Sequence, residues 1–179
     1  MPGHLEYKDG IYRTGDAKVS LLARTLPSVR FYAFVVKVVT RAGREARKGQ
    51  YSRETLCADG LSTIHAIENV GTKIEISGIE NLNKFEGPCV IASNHMSTFE
   101  TFTLTCIIGS AKHITFVIKG SLLEYPFFGV TLKTLNPIAV TRKNPREDLK
   151  TVLREGAERL KNGVSVVVFP QAVRSPVFN

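Results

Sequence analysis

Cysteine is scarce in this chain and poorly arranged for cross-linking. Its three cysteines, Cys57, Cys89 and Cys106, are odd in number, form no C-x-x-C pair and lie mostly in apolar surroundings. That excludes a disulfide framework or a zinc site and fits a reducing, cytosolic setting. Long apolar runs are missing too. No stretch reaches the ~18 uncharged apolar residues of a bilayer span, and the N-terminal M-P-G-H-L-E-Y-K-D-G lacks the apolar core of a secretion signal. Any membrane contact is therefore expected to be peripheral, on the cytoplasmic face. Acidic residues are the minority, 16 against 24 Lys and Arg, so the chain carries a net charge of +8. Such a surplus favours phosphate groups, anionic lipid or nucleic acid as partners. The absence of an RNA-recognition signature turns the expectation away from nucleic acid. No repeat or low-complexity linker interrupts the 179 residues, and a 43% hydrophobic content suits one structural domain.

Two organisational parts are expected within it, an N-terminal helical, membrane-facing segment over 1–70 and an α/β core over 71–179. Between Pro27, a natural helix start, and Gly49, a natural stop, Arg30, Lys37, Arg41, Arg44 and Lys48 recur as a basic stripe. Phe31, Phe34, Val35, Val38 and Val39 fall on other faces, and Gly43 is a weak point of the helix. This reads as a basic amphipathic helix on an anionic membrane, or as one docked on its own domain. A second helix is expected within Tyr51–Val70. The run T-K-I-E-I-S (72–77) alternates as a strand, and 78–87 reads as a loop.

From there strands and helices alternate. Strands are expected over Cys89–Ala92, His113–Ile118, Pro137–Thr141 and Val164–Phe169, with a helix from Ser97 and a broken helical stretch over Lys119–Leu135. A further helix is capped by Asn144, opened by Pro145, striped with Leu149, Val152, Leu153, Ala157 and Leu160, and closed by Gly163. This alternation predicts an α/β fold: a mixed, largely parallel sheet flanked by helices and preceded by N-terminal amphipathic helices. His95, Arg142 and Arg174 each follow a different strand. If those strands are parallel, all three emerge at the sheet edge where ligands bind in open α/β folds.

The richest stretch is P-C-V-I-A-S-N-H-M-S-T-F-E, Pro88–Glu100. On one regular helix His95 and Glu100 stand about 140° apart and cannot touch. They meet only if His95 precedes the helix and Ser97 caps it, placing Glu100 at the third helical position. A carboxylate there reaches back to orient the imidazole. The same S-x-x-E spacing equally describes a plain capping box.

The wider pattern decides in favour of chemistry. I-S-G-I-E-N-L-N-K-F-E-G-P-C-V-I-A-S-N-H-M-S-T-F-E (Ile76–Glu100), F-V-I-K-G-S-L-L-E-Y-P-F-F-G (Phe116–Gly129), N-P-I-A-V-T-R (Asn136–Arg142) and F-P-Q-A-V-R-S (Phe169–Ser175) resemble, in order, four segments of the glycerolipid (lysophosphatidic acid) acyltransferase family. The resemblance implies acyl transfer from acyl-CoA or acyl carrier protein to the hydroxyl of 1-acylglycerol 3-phosphate. His95 would be the general base and Glu100 its orienting partner, with Asn94, Lys119, Arg142, Arg174 and Ser175 contacting substrate. No cofactor and no metal are implied, and the acceptor itself is the nucleophile. Spacing alone leaves Cys89 or Cys106 open as a nucleophile beside His95. Phe127, Phe128 and Gly129 suit either an apolar acyl or glycerol tunnel or a packed loop corner. Free N–H groups near Ser97 would hold phosphate or an oxyanion.

Three departures from the family pattern are visible. Glu100 stands where Asp is usual, Gln171-Ala172-Val173 replaces Glu-Gly-Thr, and a further proline-containing block has no counterpart before Asn179. The alternative reading is a weakened member that binds lysophospholipid without turnover. A chain that is a fragment of this fold is expected to leave a free sheet edge and self-associate.

Overall fold

The computed structural model describes residues 5–15, 19, 23, 25–171 and 173. It begins with a short strand, β1 (Tyr12–Arg13), and Pro27 then opens helix α1 (Pro27–Arg47). Ser52 caps helix α2 (Arg53–Glu68) by accepting the Thr55 N–H. The alternating run after it forms only β2 (Glu75–Ile76), which pairs antiparallel with β1 and not with the main sheet. Thr14 accounts for this. Its N–H donates to the Ile74 carbonyl and its hydroxyl accepts the Ile74 N–H, so the backbone there is already satisfied. Where a loop is expected, a single turn, α3 (Glu80–Asn83), brings Leu82 onto the core.

The core then follows in regular alternation: β3 (Val90–Ala92), α4 (Phe99–Ile107) and β4 (Ile114–Lys119). A 3-10 turn (Gly120–Glu124) and α5 (Phe128–Thr134) lead to β5 (Ile138–Val140), α6 (Pro145–Lys161) and β6 (Ser165–Val168). All four core strands are parallel, in the order β3-β6-β4-β5. The β3-to-β4 and β5-to-β6 crossovers run in opposite directions across the sheet, so the right-handed rule sets α4 and α6 on opposite faces.

On the α4 face, Ile114, Phe116 and Val167 meet Ile108, with Ile91, Ile118 and Phe169 around them. On the other face Ile138 is fully buried beneath Gly156 of α6. Each such aliphatic side chain contributes about 2 kcal/mol by leaving water. Asn144 and Pro145 open α6 as expected. Its apolar stripe, however, is not its buried face: Leu149 and Leu153 are 58% and 64% exposed. The helix approaches the sheet at Gly156, and Arg159 donates to the carbonyl and side-chain oxygens of Asn136, which fixes its rotation.

The N-terminal helices differ from expectation in a similar way. Arg41 does not belong to an outward basic stripe; it turns to Glu45 and to the buried Asp59, which also accepts the Tyr51 hydroxyl at 2.9 Å. This network ties α1 to α2. Gly43 is a contact point and not a weak one, since a Cβ there would lie 2.5 Å from Phe127 Cα, and Arg47 sits 4.6 Å over the Phe127 ring. Beside the exposed Arg30, Lys37, Arg44 and Arg47, α1 also exposes apolar Val29, Tyr32 and Val36, with Leu26 exposed just before it. Among the described residues no helix is long and apolar enough to cross a membrane. Strand pairing between β1 and β2 links the 1–70 segment to the 71–179 core.

Candidate active site

Parallel register aligns the strand ends. Ile91 stands beside Val167, and Val167 beside Phe116. Counting three residues on places Asn94 and Lys119 at one level, with His95 one step beyond Asn94. The last rung of the β3–β6 ladder is Ser93 N–H to the Val168 carbonyl. His95 is thus the second residue after the sheet releases the chain, at its C-terminal edge.

His95 Nδ1 lies 2.8 Å from Glu100 Oε1, with both side chains about four-fifths buried at 17% and 20% exposure. The pairing expected from the sequence forms, by a slightly different local geometry. Helix α4 starts one residue later than expected, after Thr98, and Ser97 stands outside it with its hydroxyl accepting the Phe99 N–H. Glu100 still reaches back. Its Oε1 accepts the Met96 and Ser97 N–H groups at 2.8 and 2.9 Å, and its Oε2 accepts the Ser97 hydroxyl at 2.5 Å. Burial alone would raise this carboxyl, but the hydrogen bonds from Ser97, its backbone and His95 outweigh burial and hold it below the usual range. Glu100 is therefore both the cap of the turn and the partner of the imidazole. An ionised Glu100 selects the Nδ1–H tautomer, so Nε2 is the basic nitrogen, and no described group bonds to it. The same bonds remove Met96, Ser97 and Phe99 N–H from use as phosphate or oxyanion donors, contrary to expectation.

Two contacts to His95 were not foreseen. Phe169 stacks on its imidazole, with ring centroids 4.6 Å apart, and is itself stacked at 6.4 Å on Phe116 of the core. Gln171 Oε1 accepts the His95 backbone N–H at 2.6 Å. Both come from the F-P-Q run that leaves β6, and the signal that would have found them is the adjacency of β6 to β3, which sequence order hides.

The remaining expected residues spread along the same edge. Asn94 is exposed beside His95, and Lys119 is exposed at the end of β4. Arg142 follows β5, which by strand spacing lies about 14 Å across the sheet from β3. Its backbone sits at φ 59°, clamped by Asp148, which accepts the Thr141 and Arg142 N–H groups at 2.8 and 2.7 Å. Among the described residues neither Lys119 nor Arg142 is paired with a carboxylate. Arg174 and Ser175 lie outside the described residues. Phe127 is a packed corner against α1, while Phe128 faces Phe102 of α4 at 6.3 Å.

The cysteines stand apart from this chemistry. Burial pushes the Cys106 thiol up to about 12, and its S–H is bonded to the Thr103 carbonyl. Cys89 lies at the opposite end of β3, about 20 Å of extended chain from His95. Among the described residues no group of three or more His, Cys, Asp or Glu is placed to hold a metal. A cavity of about 120 Å³ lined by Arg53, Cys57 and His113 opens at the other end of β4, away from His95.

Comparison with known proteins places the chain in a family. A family model described as Acyltransferase matches residues 73–177. The chain is 44% identical over 107 residues to a 1-acyl-sn-glycerol-3-phosphate acyltransferase of Pseudomonas aeruginosa, covering 60% of this chain and 40% of that protein. It is 33% identical over 103 residues to a chloroplastic 1-acyl-sn-glycerol-3-phosphate acyltransferase of Arabidopsis thaliana, covering 58% and 28% of the two. The chain thus spans less than half the length of either relative. In fold it is similar to the crystal structure of the 1-acyl-sn-glycerophosphate (LPA) acyltransferase PlsC from Thermotoga maritima, with a TM-score of 0.62 and 23% identity over 87% of this chain and 63% of that one.

Proposed function

Because the chain belongs to the acyltransferase family, we propose that it transfers a fatty acyl group from a thioester, acyl-CoA or acyl carrier protein, to the free hydroxyl of 1-acylglycerol 3-phosphate, giving phosphatidic acid. The observation that carries this reading is the His95–Glu100 pair at the C-terminal edge of the parallel sheet, with Nε2 bare. His95 Nε2 takes the acceptor's hydroxyl proton as its oxygen attacks the thioester carbonyl. Glu100 stabilises the imidazolium. The tetrahedral intermediate collapses by breaking the C–S bond, and the departing thiolate recovers the proton from His95. Acyl thioester and alcohol become ester and free thiol, with no acyl-enzyme and no cofactor. Lys119, Arg142, Arg174, Asn94 and Ser175 are proposed to hold the acceptor, the guanidinium groups on its phosphate.

The proposed acceptor is a membrane lipid, and α1 is proposed to rest on an anionic membrane surface. The exposed Val29, Tyr32 and Val36 of α1 and Leu26 just before it, beside Arg30 and Lys37, support this peripheral docking, which is proposed for the cytoplasmic face. A second reading, a member that binds lysophosphatidate without turning it over, draws on Gln171 in place of the family's Glu.

Acyl transfer from acyl-CoA to lysophosphatidate in membrane extracts expressing the chain tests the proposal. Activity that falls about 10²- to 10⁴-fold in His95→Ala is the expected result. Equal activity in wild type and variant would remove His95 as the base, and lysophosphatidate binding without product in the wild type would favour the second reading.

A further inference from the structure

The turn that carries the base is anchored from two sides. Past the Ser93 rung, Met96 and Ser97 give their N–H groups to Glu100 of α4, but His95 gives its own to Gln171, beyond β6. Phe169, two residues earlier on the same segment, lies against the imidazole. The restraints from α4 fix the ring's tautomer and the later half of the turn. Among the described residues, only the Gln171 bond joins the His95 main chain to the segment leaving β6 after the ladder ends.

We propose that Gln171 is the positioning residue of the site: its side-chain oxygen on the His95 N–H fixes the turn, so that the end of β6 sets the direction of Nε2. The oxygen need not be charged for this, because a carboxamide and a carboxylate accept the same N–H. Gln171 therefore does the anchoring and adds no second negative charge beside the imidazole. On this view the departure from the family's Glu leaves the anchor intact. The inference deepens the acyl-transfer reading and rests on it for its kinetic arm alone.

The test combines amide exchange with kinetics on the full chain. The sequence has four histidines, so ¹⁵N-histidine labelling yields four backbone amide signals, and His95→Ala identifies the one from His95. In Gln171→Leu the His95 amide is expected to exchange about five- to tenfold faster, the protection of one net hydrogen bond. A fall in kcat of about tenfold or more, with KM within about twofold, is expected alongside, because misdirecting the base affects the chemical step and not substrate binding. Gln171→Glu restores both. Should Gln171→Leu not fold, Gln171→Asn, one methylene too short, is measured in its place. Unchanged His95 exchange in the shortened or apolar variant, or a Gln171→Glu variant that behaves like Gln171→Leu, overturns the proposal. The exchange result decides even for a chain with no turnover, so its failure is distinct from failure of the acyl-transfer reading.

Discussion

Glu100→Gln isolates the charge of the dyad from its shape. The substitution keeps every heavy atom's position available and removes one negative charge 2.8 Å from His95 Nδ1. Which way the amide turns is decided by the backbone. Met96 and Ser97 N–H both donate to the Oε1 position at 2.8 and 2.9 Å, so the carboxamide oxygen must stay there and keep accepting Nδ1–H. Its NH2 then falls on the Ser97 hydroxyl, which can turn to accept it, and the 3.1 Å branch of the Ser97 N–H bond to that position is lost while the 2.9 Å branch to the oxygen remains. The tautomer is preserved, so the large loss that follows a wrong tautomer, about 10⁴-fold in a serine-protease triad, is not expected. What disappears is the attraction between carboxylate and imidazolium. At about 4 Å between charge centres and an effective dielectric constant near 20, that attraction is about 4 kcal/mol for a full charge. With the proton half transferred in the transition state, about 2 kcal/mol is lost, or roughly 30-fold in kcat. Both KM values should stay within about twofold. Product formation from acyl-CoA and lysophosphatidate, followed by mass spectrometry of the phosphatidate, measures this. Full activity in Glu100→Gln, or a loss beyond about 10³-fold, would refute the reasoning, the first by denying the charge a role and the second by showing that the tautomer was not held.

Two further outcomes follow from the N-terminal half. Replacing Val29 and Val36, 64% and 61% exposed on α1, by Glu should abolish co-sedimentation with anionic vesicles at low salt without lowering the melting temperature; undiminished sedimentation would exclude this face as the membrane contact. Glu68 accepts from Tyr12 and Thr14 at 2.6 and 2.7 Å and faces His65, and although burial opposes it, these bonds hold its carboxyl below the unfolded value of 4.5. The unfolded chain then binds more protons, so this stability is full above about pH 4.5 and lost as pH falls through the lower folded value. Glu68→Gln should cost about 2 kcal/mol at pH 7 and flatten denaturation midpoints across that acid window, and an unaltered pH profile would contradict it.

Much of the site was legible because its signals are local. The His95–Glu100 contact depends on five residues and one helix start, and even a cap displaced from Ser97 to Thr98 left the carboxylate in reach. Strand alternation likewise gave the sheet, and Asn144-Pro145 the start of α6. The failures share a cause. Arg41 was read as surface charge since its partner Asp59 lies 18 residues away on another helix. Leu149 and Leu153 belong to an apolar stripe yet stay exposed, because periodicity marks an apolar face but not which way a helix is turned by Gly156 and Arg159. Phe169 and Gln171 reach His95 only through a strand order that places β6 beside β3.

That order has a consequence in time. Among the described core strands β6 is the latest in the sequence, yet it lies between β3 and β4, so neither neighbour can find its final spacing until the ribosome has released Ser165–Val168. Pairings of this kind, between distant parts of the chain, close slowly and late. The turn carrying His95 emerges some 70 residues before the Phe169 and Gln171 that seat it. A nascent chain therefore displays His95 long before it can aim it, and this edge of the sheet takes its shape only once β6 has joined its neighbours.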